Sequence, residues 1–254
     1  MRACLGSATP LKSLLREWPS LYENIRGAYY WMLYKSEEYL FGSRIHKWKW
    51  RLEATPSPQE LAQSISHPHR EFLIGAITRG MPARSALEIG CNMGQNLRLL
   101  AGKFPEASFQ GLDINPNFIE KGQHWLLGDG IKNISLQPGT GEDLSKFGDK
   151  SIDLTFSDAT LIYLGPDKID QAIGEMIRVT RKSLLFNEWN LDGTRCQERS
   201  TWYFGHWVHD YKAILTKHAP NAEVRIHRLP EGLWAPGGGW EKYGALIEVD
   251  LKNP

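Results

Sequence analysis

The chain has 254 residues, enough to bury a sizeable core in one catalytic domain that carries an embellishment. Its 30 lysines and arginines against 29 aspartates and glutamates leave a formal charge of +1, which gives no global pull toward nucleic acid or an anionic membrane and favours a small substrate. Cys4, Cys91 and Cys196 are odd in number, widely spaced and without histidines at metal-ligand intervals, so neither a disulfide framework nor a metal site is indicated, and a cytoplasmic location is the simplest expectation.

No stretch reaches the roughly twenty apolar residues of a membrane span, and Met1 to Leu14 lacks an apolar run of signal-peptide length. From Leu11 to about Leu52 large aromatics, among them Trp18, Tyr29, Tyr30, Trp31, Trp48 and Trp50, alternate with bases such as Lys35, Arg44, Lys47 and Arg51. This reads as helices whose rings pack on the rest of the protein, with a single-stranded nucleic-acid platform or a membrane-surface helix as alternatives. The same surface would serve a homodimer. Ala54-Thr55-Pro56-Ser57-Pro58 breaks the pattern, which sets an aromatic-rich helical extension over residues 1–57 and a second unit over 58–254. Pro58 to Arg79 is expected to be a helix; His67 and His69 flank Pro68 in it and read as loop histidines, since no third metal ligand accompanies them.

Ala86-Leu-Glu-Ile-Gly-Cys-Asn-Met-Gly-Gln-Asn96 is an apolar strand that runs through a glycine-containing turn into a helical stretch, Leu97 to Lys103. Glycine there lets the backbone bend sharply beside a ligand, and the helix start offers unpaired amides. The next strand, Ser108 to Leu112, ends in Asp113 and Ile114. Further strands are expected at 134–137, at 152–156 with Ser157 and Asp158 at the tip, and at 183–186, closed by Asn187-Glu188-Trp189-Asn190. An amphipathic helix is predicted from Lys168 to Val179, and helices are expected between all of the first five strands. Strands at 223–229 and 244–251 follow, joined by a loop, Pro230 to Tyr243, whose Trp234, Gly237 and Trp240 either close over a ligand or simply connect.

Glu88, Gly90, Asn92 and Gly94 occupy the positions of an acidic residue and three alternating glycines, and in this the run resembles the first motif of the class I S-adenosylmethionine-dependent methyltransferases. Asn92 stands where the middle glycine is usual, and asparagine tolerates the left-handed backbone that glycine supplies. Glu175, Met176, Arg178 and Val179 stand in the order common in the helix before that family's fifth strand, so the resemblance spans roughly residues 84 to 190. It implies an α/β, Rossmann-like, seven-stranded mostly parallel sheet whose last strand is antiparallel and inserted beside the fifth, here with an N-terminal helical cap. A nicotinamide-dependent oxidoreductase would also use Asp113, but it needs Gly-x-Gly-x-x-Gly, and Asn92 and Gln95 stand where two of those glycines belong.

The resemblance also implies roles around S-adenosylmethionine. Asp113 is expected to take both ribose hydroxyls, with Ile114 beside it; Gly90, Cys91, Asn92 and Gly94 line the turn, with Asn96 at the helix start. Glu88 is placed to bind the amino group or orient the loop, and Arg70, before the first strand, to clamp the methionine carboxylate with two parallel bonds. Thr140 and Glu142 are both candidates for the adenine amine, and Ser157 and Asp158 close the side where the methyl leaves. On the acceptor side Tyr163, Glu188 and His206 are the catalytic candidates, and Trp189, Trp202, Trp207, His209 and Tyr211 the substrate contacts. The segment Ser200 to Tyr211 walls a pocket or forms the sixth helix. The function expected is methylation of oxygen or nitrogen on a small molecule or sugar. The alternatives are a non-catalytic cofactor-binding or RNA-binding module, or an RNA methyltransferase; the chain lacks the Asn/Asp-Pro-Pro-Tyr type of sequence that receives a flipped base.

Overall fold

The computed structural model describes residues 43–79, 83–192, 200–203 and 205–251. Most of the aromatic extension, with Cys4 and Cys196, lies outside the described residues. Three helices open the described chain, α1 (Arg44–Arg51), α2 (Pro58–Ile65) and α3 (Pro68–Arg79). The expected single helix over 58–79 is two: Ser57 and Glu60 cap α2 reciprocally, and Pro68 forces a new start because the residue before a proline leaves the helical region.

The sheet follows as β1 (Ser85–Ile89), α4 (Gln95–Lys103), β2 (Ser108–Asp113), α5 (Pro116–Gly128), β3 (Ile134–Pro138), β4 (Ile152–Asp158), α6 (Ile169–Val179) and β5 (Thr180–Trp189). A small hairpin of β6 (Ser200–Tyr203) and β7 (His206–His209) comes next, then α7 (Tyr211–His218), β8 (Glu223–Arg228), α8 (Gly239–Tyr243) and β9 (Gly244–Asp250). The strand order is β3-β2-β1-β4-β5-β9-β8, with β9 antiparallel to both neighbours, as the resemblance implied. Two expectations fail. No helix joins β3 to β4, because Gly139, Gly141 and Gly148 interrupt a polar stretch without apolar periodicity. Ser200 to His209 is neither pocket wall nor helix but a hairpin, turned at Gly205 with φ of +90°.

Alternation along the buried strands feeds two cores, one on each face. Leu87, Leu184, Phe186 and Ile247 pack with Ile169, Ile173 and Met176 of α6 and with Ile214 and Leu215 of α7. Ala86, Phe109, Leu154 and Phe156 pack on the other face with Leu73 and Ile77 of α3 and Leu97 and Leu100 of α4. From β1 the chain winds to β2 and β3 on one side, then returns to lay β4 and β5 on the other. The connections after β1 and β4 therefore diverge, and a crevice opens at their carboxyl ends.

Candidate functional site

A cavity of about 290 Å³ occupies that crevice, close to the lower end of the roughly 300–1,000 Å³ common for small-ligand clefts. The turn after β1 forms its floor. Gly90, Asn92 and Gly94 all have positive φ, 75°, 51° and 86°, so asparagine holds the left-handed position at which the usual glycine is missing. The Asn92 side chain stabilises this by accepting from the Met93 amide at 2.7 Å, and its own amide donates to Asp113 Oδ2 at 2.8 Å. The Asn115 amide donates to Asp113 Oδ1 at 2.9 Å. Burial raises the Asp113 pKa, with the amides of Asn115, Asn92 and Ile114 pulling the other way.

Beneath the cavity runs a buried polar network. Asn96 Nδ2 donates to Glu88 Oε1 at 2.7 Å and to Asp158 Oδ2 at 3.1 Å, while Asn96 Oδ1 accepts from Arg70 Nη1 at 2.6 Å. Full burial pushes Glu88 up to about 8; Asn96 moderates this, and the neighbouring Asp158 and Asp113 charges add to it. Burial opposes ionisation of Asp158 too, yet the bond and charge of His69, the Arg70 charge and the Asn187 amide outweigh it and hold its pKa low. His67 Nδ1 accepts from the His69 amide at 3.3 Å and lies 2.6 Å from His69 Nδ1, so His69 donates to His67 through that nitrogen while its Nε2 faces Asp158 at 3.1 Å. Trp234 stacks on His69 with centroids 4.5 Å apart, and on Trp240 at 4.4 Å, so the Pro230–Tyr243 loop reaches the cavity rim.

The roof is α1. Ser43 Oγ accepts from the Gly165 amide and donates to Asp167 Oδ1, both at 2.8 Å, at the β4 side. At the β2 side Asn115 Nδ2 donates to the Trp50 and Glu53 carbonyls at 3.0 and 2.9 Å, and Lys47 pairs with Glu142 beyond β3. The helix thus crosses the crevice from one wall to the other.

Residues 86–183 match the family model described as a methyltransferase domain. That match is to a methyltransferase domain, in keeping with the class I S-adenosylmethionine-dependent methyltransferases that the first motif resembles. Solved structures share the fold of this methyltransferase domain at low identity. The plantazolicin methyltransferase BamL, in complex with a triazolic desmethyl analogue and S-adenosylhomocysteine, superposes with a TM-score of 0.59 at 14% identity, over 84% of this chain and 96% of that chain. A SAM-dependent methyltransferase from Aquifex aeolicus gives 0.55 at 13%, over 77% and 99%. Magnesium protoporphyrin IX methyltransferase from Synechocystis PCC 6803, with bound SAM, gives 0.54 at 14%, over 85% and 94%.

The cavity residues fit S-adenosylmethionine. Glu88 Oε2 is buried without a hydrogen-bond partner, an acceptor suited to the ammonium of the amino-acid tail. Asp113 faces the same cavity with two acceptor oxygens for a diol. Of the residues expected around the cofactor, Arg70, Glu88, Gly90, Cys91, Asn92, Asn96, Asp113, Ile114, Thr140, Glu142 and Asp158 all line the cavity. Gly94 instead precedes α4 as its cap, and Ser157 is buried inside β4. Arg70 spends three of its five N–H groups on the Ser64 carbonyl, the Ser64 hydroxyl and Asn96, which leaves one on each terminal nitrogen.

The acceptor-side expectations divide. Tyr163 lines the cavity. His206 packs behind it, with ring centroids 5.2 Å apart, and on Trp189 at 4.9 Å. Glu188 is fully buried below the wall; its Oε1 accepts from the Thr160 and Leu161 amides at 2.9 and 3.0 Å and its Oε2 from Ile162 at 3.2 Å, so it shapes the 3-10 turn Leu161–Tyr163. Burial raises its pKa to about 7 against those amides. Trp189, Trp202, Trp207, His209 and Tyr211 do not line the cavity. His209 is structural, with Nδ1 on Ser200 Oγ at 2.8 Å and Nε2 on the Leu164 carbonyl at 2.9 Å, and Tyr211 belongs to the core against Phe186. Cavity residues not anticipated include His46, Trp50, His69 and Thr160, while Trp234, of the loop expected either to close over a ligand or to connect, also lines the cavity. The sequence marked Trp50 and Trp234 as aromatics but not the direction of either ring.

Proposed function

We propose that this domain transfers a methyl group to an oxygen or nitrogen of a small molecule. The observation that carries the reading is the roof: α1, tied down at Ser43 and Asn115, covers part of the crevice and leaves a cavity of about 290 Å³, the size of a small-ligand cleft. An RNA strand needs a long basic groove, and the charge of +1 does not supply one.

S-adenosylmethionine supplies an electrophilic methyl on a sulfonium that is already a good leaving group. Asp113 would bind the ribose diol, Glu88 the ammonium and the two remaining N–H groups of Arg70 the carboxylate, with Thr140 and Glu142 toward the adenine. Asp158, with Asn96 and His69, fixes the floor on which these groups stand. Tyr163 would contact the acceptor, while Glu188 positions Thr160 and the turn that carries Tyr163, and His206 buttresses that ring. Holding the acceptor in line with the methyl accounts for up to about 7–11 kcal/mol of barrier lowering without any covalent role for the protein.

Calorimetric titration with S-adenosylmethionine tests the donor site. Incubation with methyl-labelled donor and cell extract, followed by mass identification of the product, then tests the acceptor class. A labelled small metabolite is expected; label recovered only in RNA, with salt-dependent retention on single-stranded RNA, would replace this reading with RNA methylation.

A further inference from the structure

His46 lines the cavity, and both of its ring nitrogens are buried without a hydrogen-bond partner. A neutral imidazole has one donor and one acceptor to satisfy, and burial leaves each unmet group costly. Trp50, one helical turn further along α1, also lines the cavity, and its indole N–H is buried and unpartnered. Residues four apart share a helix face, and both rings meet Tyr163, with centroids 5.5 Å and 5.0 Å away. One unmet acceptor and two unmet donors therefore flank one aromatic ring at the roof of the cavity.

A hydroxyl group meets two of these three at once: it donates to the bare imidazole nitrogen and accepts from the Trp50 N–H. Two observations separate this from an amine acceptor in cationic form. Glu188, the carboxylate beneath Tyr163, already accepts from three amides, and Glu142, whose oxygens make no hydrogen bond, has its charge balanced by the Lys47 ammonium. Burial, with His206 and Lys49 nearby, lowers the His46 pKa to about 4, so the ring is in its basic, uncharged form at neutral pH. The surrounding rings of Trp50 and Tyr163 favour a flat partner that stacks or meets them edge-on.

We propose that His46 and Trp50 bind the hydroxyl of a flat, ring-borne acceptor and that His46 takes its proton during methylation. This rests on the methyltransferase reading above and narrows it. In the step the hydroxyl oxygen forms a bond to the methyl carbon as the carbon–sulfur bond breaks, with that electron pair remaining on sulfur. The O–H bond breaks and its proton goes to the free His46 nitrogen, from which it leaves to water. A phenol suits a weakly basic imidazole better than an alkyl alcohol, because its proton is more acidic, near the pKa of about 10 of a tyrosine side chain.

The test uses the full chain saturated with S-adenosylhomocysteine, titrated calorimetrically with phenol and with anisole, which keeps the ring and loses the O–H. Wild type is expected to bind phenol more tightly than anisole. In His46→Phe the phenol affinity should drop on the order of tenfold, the loss of a hydrogen bond at a buried site, and the difference between the two probes should vanish. His46→Gln, which retains a donor and an acceptor, should recover part of it, and Trp50→Phe should lose a smaller share. In nitrogen-detected NMR the His46 ring signals should move on addition of phenol and not of anisole. Equal binding of the two probes to wild type, no binding of phenol at millimolar concentration, or unmoved His46 signals would overturn the proposal. Affinity for S-adenosylhomocysteine serves as the control: its absence in wild type counts against the methyltransferase reading itself, its retention with indifferent probes only against the role of His46.

Discussion

The Asn92 amide donates to Asp113 Oδ2 across 2.8 Å, so the bend after β1 and the tip of β2 are one rigid unit before any ligand arrives. Asp113→Ala removes both this bond and the carboxylate offered to the ribose. Affinity for S-adenosylhomocysteine should fall about a hundredfold, two charge-assisted bonds at about 1.5 kcal/mol each. Calorimetry checks this, and near-normal affinity would dismiss the assigned pocket.

Glu88 titrates at about 8 in the folded protein, against an ordinary value of 4.5. The folded state therefore holds this proton more tightly than the unfolded state, and the resulting stability is whole below about pH 4.5 and lost as pH rises through about 8. Between about pH 6 and 9 the thermal midpoint of the ligand-free wild type should decline more steeply than that of Glu88→Gln. Glu188 contributes with the same sign to both proteins and cancels in the comparison. Since an ammonium needs the ionised form, cofactor binding at pH 7 should release protons, read as a dependence of the calorimetric heat on the buffer.

Gly90 has φ of +75°, and a Cβ there would stand 2.0 Å from Thr160 Oγ1 and 2.7 Å from Thr160 Cβ. Gly90→Ala should destabilise by about 2 kcal/mol or more through backbone strain and overpacking. Thr160→Gly in the same chain should restore part of this, with a coupling of about 0.5–3 kcal/mol in a denaturation cycle. Strict additivity would mean that the two residues do not press on each other.

Glu188→Gln keeps size but turns one acceptor oxygen into an amide donor facing a backbone N–H. A loss of about 1–3 kcal/mol is expected in chemical denaturation. If Glu188 acts by holding the Thr160–Tyr163 turn, the methylation rate should fall without a shift in its pH profile; a lost pH limb would instead indicate a direct proton-transfer role.

Asn115 caps α5 through Oδ1 and holds α1 through Nδ2. Asn115→Asp keeps the cap and sets an oxygen against the Trp50 and Glu53 carbonyls, so α1 should loosen while α5 stays. Hydrogen exchange is expected to quicken over residues 44–51 and not over 116–128.

Much of this was legible in the chain. The strands were, because buried parallel strands are short apolar runs between turn residues, and so was Asp113, which ends one of them. Asn92 could be read as a glycine substitute because its αL tolerance is intrinsic to the residue. The hairpin Ser200–His209 was not, since its aromatics serve a helix face or a strand face equally and Gly205 alone marks the turn. Nor was the part played by Glu188, whose position at a strand tip suggests chemistry, while its three amide partners come from a turn some 26 to 28 residues earlier. His46 was hidden within a basic, ring-rich stretch in which nothing local says which side chain points inward.

Because Arg44–Arg51 spans the crevice from one wall to the other, the same helix borders the places of both ligands. Lifting that segment to discharge a spent nucleoside also dismantles the wall around the acceptor. Anything that holds α1 down should therefore slow the exchange of donor and acceptor together.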